Sequence, residues 1–244
     1  MKNFIFGIRS IIEAVSAGKT IDKVLIKQNL KGELISELLR DLKKYDIQIQ
    51  YVPIEKINKI TTKNHQGVVA FVSPVEYFNL EDIVTGIFEK GKIPLLLILD
   101  SITDVRNFGA IARTSECAGV DAIIIPERNS VSITSDAIKT SAGALNSIPV
   151  CKEKNLFDTI ILLQQMGVKV VAASEKAGNL LYNEDLKLPL AIMLGSEEKG
   201  ISNQMLRKAD SLVKIPVYGN IDSLNVSVAA ALFIYEAKRQ RDFC

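Results

Sequence analysis

A chain of 244 residues, 48% of them hydrophobic, can bury a sizeable core, and its length fits two modest domains better than one large one. Its longest apolar runs, 94–99 and 226–234, fall far short of the roughly 20 residues of a membrane span, and an N-terminus carrying Glu13 in a strand–helix pattern is unlike a cleavable leader, so a cytoplasmic protein is expected. The net charge of +2 is unevenly spread: residues 1–72 hold 12 Lys/Arg against 7 Asp/Glu, or +5, and the remainder 18 against 21, which makes the front segment either the contact for a polyanion or simply a solvated lysine face.

In chain order, 7–17 carries Ile8, Ile11, Ile12 and Val15 at helix spacing, with Gly18 as the stop. A short strand follows at 24–26. Residues 32–45 place Leu34, Ile35, Leu38, Leu39 and Leu42 on one helical face, 47–52 alternates as a half-buried strand does, and 68–72 closes the set. This alternation predicts a small α/β domain over 1–73. Ser73 and Pro74 punctuate, Asn79 is placed to cap a helix running to Lys90, and Gly91 follows, so 74–92 is expected to be a linker. From 93 to 244 the scale changes. Strands at 95–99, 122–125, 169–173, 190–194 and 212–215 are near-continuous apolar runs separated by helix-length stretches, which predicts an α/β domain with a mostly parallel sheet covered on both faces.

Ligands of such sheets collect beyond the carboxyl ends of the strands. After 95–99, Asn107 or the small residues following it are expected to begin a helix that carries Arg113 about two turns in, among Gly109 and Ala110. An arginine there is approachable by a ligand, and is equally at home on the wet face of an amphipathic helix. The loop after 190–194 holds Gly195, Glu197, Glu198 and Gly200. Two adjacent glutamates would repel a phosphate, so a cation or an arginine suits it better. After 212–215, Ile215 and Pro216 end the strand, Gly219, Asn220 and Asp222 turn the chain, and Ser223 or Asn225 can cap the next helix.

No histidine or cysteine lies in these three loops. His65 stands in the front domain beside Gln66 and Gly67, where a packed or turn-capping role is expected. Cys117, Cys151 and Cys244 are scattered, with no C-x-x-C or histidine-rich cluster, so neither disulfides nor a metal site are expected. Ser-His-Asp and Cys-His mechanisms lack their residues, and the dinucleotide fingerprint and Walker A loop are missing. What remains is group transfer whose reactive power sits in a bound cofactor, with the protein supplying position and electrostatics.

Asn107-x-Gly109-Ala110-x-x-Arg113, Gly195-x-Glu197-x-x-Gly200 and Ile215-Pro216…Ser223-Leu224-Asn225-Val226-Ser227 occur in that order, each after a predicted strand. Together they resemble the three motifs of the SpoU/TrmH family, RNA ribose methyltransferases of the SPOUT superfamily. Phe6-Gly7-Ile8 and His65-Gln66-Gly67 make the front domain similar to the substrate-binding domain of the RlmB-type branch, which methylates guanosine ribose in ribosomal RNA. The resemblance implies a homodimeric catalytic domain whose deep trefoil knot holds S-adenosylmethionine, with a ribose 2′-hydroxyl of 23S ribosomal RNA as methyl acceptor and neither DNA nor membrane as partner. It places the cofactor walls at Gly195, Ile215, Pro216 and Leu224, and the polar roles at Arg113, Asn107, Glu197, Ser223 and Asn225.

Three positions depart from the family pattern: Val105 where a proline is frequent, Glu198 for a glycine and Val217 for a methionine. A guanidinium titrates near or above about 12, so Arg113 is expected to hold the target phosphate and acidify the hydroxyl rather than act as the base. Phe4, Phe6, Tyr45 and Tyr51 are the few aromatics of the front domain able to meet RNA, which points to recognition of shape and backbone over base stacking. Two other readings share the motifs: the same chemistry on transfer RNA, and a non-catalytic RNA-binding protein on the same scaffold.

Overall fold

The computed structural model describes residues 4–243 and divides into two compact units, Met1–Glu76 with Ser132–Ser135, and Tyr77–Val131 with Asp136–Cys244. The first runs β1 (Phe4–Phe6), α1 (Ile8–Ser16), β2 (Ile21–Lys27), α2 (Glu33–Lys44), β3 (Ile49–Val52), α3 (Ile54–Asn58) and β4 (Val68–Val72). Its sheet has the order β1-β4-β2-β3, with β2 and β3 parallel and the other pairs antiparallel. Strand residues alternate between faces. Val24, Ile26, Val68 and Ala70 meet the stripes of α1 and α2, which are Ile8, Ile11 and Val15 and Ile35, Leu38 and Leu42. Leu25, Val52 and Val69 meet Ile57 of α3 on the other side. Nothing in the local pattern announces α3, a helix of five residues, too short to show a period.

The two tripeptides singled out in this unit form one corner. His65 Nδ1 accepts the Gly67 N–H at 2.9 Å, so its Nε2 carries the hydrogen and donates to Asn58 Oδ1 at 2.9 Å. Gln66 and Gly67 are both left-handed, with φ of 52° and 78°. That turn brings Gln66 Oε1 to the Ile8 N–H at 3.0 Å, capping α1 where Gly7 offers no side chain. His65 caps a turn, as its setting in the sequence suggests.

The second unit runs β5 (Tyr77–Phe78), α4 (Leu80–Glu89), β6 (Leu95–Asp100), α5 (Val105–Cys117), β7 (Ala122–Pro126), α6 (Ser135–Thr140), β8 (Val150–Glu153), α7 (Leu156–Gln165), β9 (Lys169–Ala173), β10 (Asn179–Leu180), β11 (Leu190–Gly195), α8 (Asn203–Lys208), β12 (Ser211–Lys214) and α9 (Val226–Phe243). Its sheet order is β10-β12-β9-β11-β6-β7-β8-β5, and every pairing is parallel. Leu96, Ile98, Ile124, Val170 and Met193 share a core with α4 and α7. Leu97, Ile123, Val171 and Ile192 point the other way and are also buried, as are Phe108 and Ile111 of α5 and Phe233 and Ile234 of α9. Burial on both faces is why these strands read as unbroken apolar runs. No helix of the described residues is long and apolar enough to cross a membrane.

The segment 74–92, expected as a linker, is largely part of this unit. Tyr77 and Phe78 pair with Val150 and Cys151, and Asn79 Oδ1 accepts the Asp82 N–H at 3.0 Å, capping α4 as expected. Leu80, Val84 and Ile87 of α4 are buried in the core. An apolar stripe of that spacing needs a surface to cover it, and a free linker would leave it in water.

The last turn of α9 is tied across the unit. Arg241 donates from Nη1 to the Ile93 carbonyl at 3.1 Å, from Nη2 to Pro94 and Leu188 at 3.0 and 2.6 Å, and from Nε to Leu186 at 3.1 Å. Burial pulls this guanidinium below its ordinary value, an effect that the charges of Asp121 and Asp242 oppose. Removing the fork takes a charged donor from four carbonyls at the amino ends of β6 and β11, of which Pro94 keeps the Leu190 N–H at 3.0 Å. Arg241→Ala is therefore expected to cost about 3 kcal/mol and to lower the thermal midpoint by about 6–12 °C, read by circular dichroism. Lysine, with one point charge, recovers only part.

Candidate active site

Loop by loop, the carboxyl edge of the second sheet is built from local rules. β6 ends at Asp100, a buried carboxylate whose Oδ1 accepts the Ser101 hydroxyl at 2.9 Å and whose Oδ2 accepts the Ser202 N–H at 3.2 Å. It fastens the loop after β6 to the chain leaving the loop after β11. The helix expected to start at or after Asn107 starts at Val105 instead, because Asp104 Oδ1 accepts from both the Arg106 and Asn107 amides, at 2.6 and 3.1 Å. Val105 thus occupies the first helical position, where a proline would also fit. Gly109 is required by packing: a Cβ there would lie 2.6 Å from Cβ and Cγ2 of Thr140.

After β11, residues 196–200 close a tight turn in which the Gly200 N–H donates to the Ser196 carbonyl at 2.8 Å and the Lys199 N–H to Ser196 Oγ at 3.2 Å. The left-handed residue is Gly200 (φ 64°), not Glu198, so a glutamate at 198 carries no backbone strain. A Cβ on Gly195 would run into the backbone of Gly200 and Ile201. After β12, Ile215 and Pro216 lead into an irregular segment, and the cap of α9 is Asn225 rather than Ser223: Asn225 Oδ1 accepts the Ser227 N–H at 3.0 Å and the Ser227 hydroxyl as well.

The three loops meet at one side chain. Asn225 Nδ2 donates to Glu197 Oε1 at 2.6 Å and to Asn107 Oδ1 at 3.0 Å, and the Val226 N–H donates to the same Glu197 oxygen at 3.2 Å. The orientation of both amides follows. Asn225 turns its oxygen to the helix start, so its nitrogen faces Asn107, which must present oxygen and leave its own Nδ2 outward. Asn225 is saturated by protein partners and therefore holds the cluster together. Glu197 Oε2 and Asn107 Nδ2 are the groups left for a ligand.

Arg113 stays outside this cluster. It is exposed on α5 and makes no hydrogen bond or ion pair among the described residues. Six residues beyond Asn107, it sits about 9 Å further along the axis and about 120° around it.

Beside the cluster an open cleft of about 360 Å3 lies beyond the carboxyl ends of β9, β11 and β12. Gly195, Glu197, Ile215, Ser223 and Leu224 line it; Pro216 does not, although its neighbours Ile215 and Val217 do. Apolar walls at Ile201, Ile215, Val217 and Leu224 suit a flat apolar ring, and the polar rim carries both signs, Glu175, Glu197, Glu198 and Asp222 against Lys176, Lys199 and Lys214, as a ligand with both cationic and anionic groups would need. One wall, residues 173–176 after β9, escaped the sequence reading because it bears no motif; its place at a strand end was the available signal.

Cysteine chemistry has no place here. Cys117 is exposed and Cys151 buried, both as free thiols, and Cys244 lies outside the described residues. Burial, followed by the charge of Glu153, pushes the Cys151 thiol up to about 12.

Residues 94–235 match the SpoU rRNA Methylase family, and residues 4–78 match the family described as RNA 2'-O ribose methyltransferase substrate binding. YacO of Bacillus subtilis, named as a TrmH family tRNA/rRNA methyltransferase, is 37% identical over 240 residues, covering 98% of this chain and 96% of its own. An AdoMet-bound rRNA methyltransferase from Sinorhizobium meliloti has a similar structure, with a TM-score of 0.61 and 25% identity over 97% of this chain and 86% of its own. The TrmH/SpoU tRNA modifying enzyme of A. aeolicus, with a TM-score of 0.57 and 27% identity, covers 67% of this chain and 84% of its own. A family model spans more than half of the chain, including all three loops that meet at Asn225, and a relative aligns over nearly all of it: the chain belongs to the SpoU/TrmH family of RNA 2′-O-ribose methyltransferases.

Proposed function

We propose that this protein transfers the methyl group of S-adenosylmethionine to the ribose 2′-hydroxyl of a guanosine in 23S ribosomal RNA, working in the cytoplasm as a homodimer. The observation that carries this reading is the bonding of Asn107, Glu197 and Asn225 to one another beside a cleft with apolar walls and carboxylates. When bound, the cofactor supplies a sulfonium methyl carbon open to attack by an oxygen.

The chain's own residues do the rest. Gly195, Ile215 and Leu224 wall the cleft, with Pro216 stiffening the stretch between Ile215 and Val217. Glu197, fixed by Asn225 and the Val226 amide, sets a negative charge beside a cationic ligand. Asn107 Nδ2, turned outward, donates to the incoming ribose, and Ser223 flanks it from the cleft. Arg113, exposed and unpaired, grips the phosphate next to the target and makes the hydroxyl more acidic by its charge; the proton leaves to water at the open mouth.

Two observations support the finer points. The rRNA enzyme of S. meliloti aligns over 97% of the chain and the tRNA enzyme of A. aeolicus over 67%, a difference that supports the ribosomal reading over the transfer RNA one. On α9, Val228, Leu232 and Tyr235 are 48%, 38% and 54% exposed at helical spacing, an apolar stripe that suits a second copy.

Mass-spectrometric mapping of 2′-O-methyl groups, in RNA from cells with and without the gene, tests the assignment. The expected result is loss of one 2′-O-methylguanosine from 23S RNA with transfer RNA unchanged; loss from transfer RNA instead overturns the substrate. For the cofactor site, Gly195→Ala is expected to weaken calorimetric titration with S-adenosylmethionine by ~10-fold or more, a cost of ~1.4 kcal/mol. Pro216→Ala, away from the wall, should shift it by less than about threefold.

A further inference from the structure

The first unit contains a second cavity, of about 560 Å3, beyond the carboxyl ends of the parallel strands β2 and β3. Ile26, Ile35 and Leu39 make its apolar floor, and Tyr51, 56% exposed on the edge strand, stands at its side. Gln28, Asn29 and Lys31 form the rim, and none of these three side chains has a hydrogen bond or ion pair among the described residues. The loop that carries them is held in place. Asn29 is left-handed at φ 58°, the Gln28 N–H donates to the Val52 carbonyl at 3.0 Å, and a Cβ on Gly67 would come within 3.2–3.3 Å of Lys27 and Leu30.

We propose that this cavity takes one unpaired nucleotide of the RNA substrate, its base stacked on Tyr51 and its edge met by the Gln28 and Asn29 amides, with Lys31 on its phosphate. The inference rests on the RNA substrate proposed above. The chemistry is selective: an apolar floor with an exposed aromatic ring at its side suits a base, the Gln28 and Asn29 amides offer both donors and acceptors, and no carboxylate lines the cavity to repel a phosphate. Lys43, one turn beyond Leu39 on α2, adds a cation on the same side of that helix. The front unit would then read more than RNA shape, contrary to the expectation drawn from its few aromatics.

The test uses the full-length protein and a synthetic RNA hairpin bearing one unpaired 4-thiouridine, against the same hairpin fully paired, with binding read by fluorescence anisotropy in the absence of methyl donor. Tighter binding of the bulged hairpin, and an ultraviolet cross-link on the peptide carrying Tyr51, are expected. Tyr51→Ala should lower affinity for the bulged RNA by about 5- to 100-fold, the loss of one base–aromatic stack, while Tyr51→Phe stays within about twofold because the stack survives. Equal affinity of Tyr51→Ala and wild-type protein for the bulged hairpin, or cross-links confined to other peptides, overturns the site. Because no methyl transfer is read, a failure of catalysis on ribosomal RNA would count against the proposed function and leave this result standing.

Discussion

Arg113→Lys is expected to lower kcat on ribosomal RNA by about 100-fold, and Arg113→Ala by about 1,000-fold, the range found when a preorganised stabilising group is removed; S-adenosylmethionine should titrate into both variants with wild-type affinity. The expectation follows from where Arg113 stands. It is absent from the cleft wall and from the Asn107–Glu197–Asn225 cluster, so nothing in cofactor binding depends on it. It is exposed and unpaired, so its removal leaves no buried charge behind and the fold should be untouched. In the proposed mechanism it supplies a planar fork for a phosphate together with a positive charge that acidifies the hydroxyl. A lysine keeps the charge and loses the fork. Single-turnover measurements separate the outcomes, and wild-type turnover by Arg113→Lys would falsify the two-pronged contact.

Deleting residues 1–76 is expected to weaken binding to ribosomal RNA by about 100-fold or more at low salt, and to make the dependence of log K on log salt shallower by about 2–4. Cofactor affinity should stay within about twofold. The front segment holds the +5 excess, and the cleft is lined only by residues of the second unit. The position of the cut matters. Ending the deletion at residue 92 would also remove α4, and with it the buried side chains of Leu80, Val84 and Ile87. Three such residues at about 2 kcal/mol each approach the whole stability of an ordinary domain, so that longer deletion should aggregate. Equal RNA affinity before and after the shorter deletion would show that the first unit does not carry the substrate.

Much of the fold was legible locally. Residues 68–72 and 169–173 are strands with the bounds that their apolar pattern suggests, and Asn79 caps α4, because periodicity and capping depend on neighbours a few residues away. The three motif loops were legible for the same reason, since each follows an apolar run. The start of α5 was harder: Asp104, Asn107 and the small residues after it all compete to begin the helix, and only the geometry shows the Asp104 carboxylate accepting two amides. The front unit's exposed Tyr51 and the buried stripe of α4 were equally undecidable, because exposure depends on what packs against a residue.

The sequence by itself determined the α/β alternation, the residues available for chemistry at the strand ends, and the absence of histidine and cysteine among them. Tertiary structure alone decided how those residues divide their work. Asn107, Glu197 and Asn225 meet across 118 and 28 residues of chain because β6 and β11 pair side by side and α5 packs against α9. That meeting gives both ends of the Asn225 amide protein partners, fixes one oxygen of Glu197, and engages the Asn107 oxygen so that its Nδ2 has no partner among the described residues. It leaves Arg113 apart as an open cation. Arg241 belongs to the same class: at the end of a helix it reads as a charge complementing the dipole, yet its fork reaches four carbonyls of residues 93–94 and 186–188. Hydrogen bonds of such long sequence separation are set by strand order and helix packing, which no local pattern encodes.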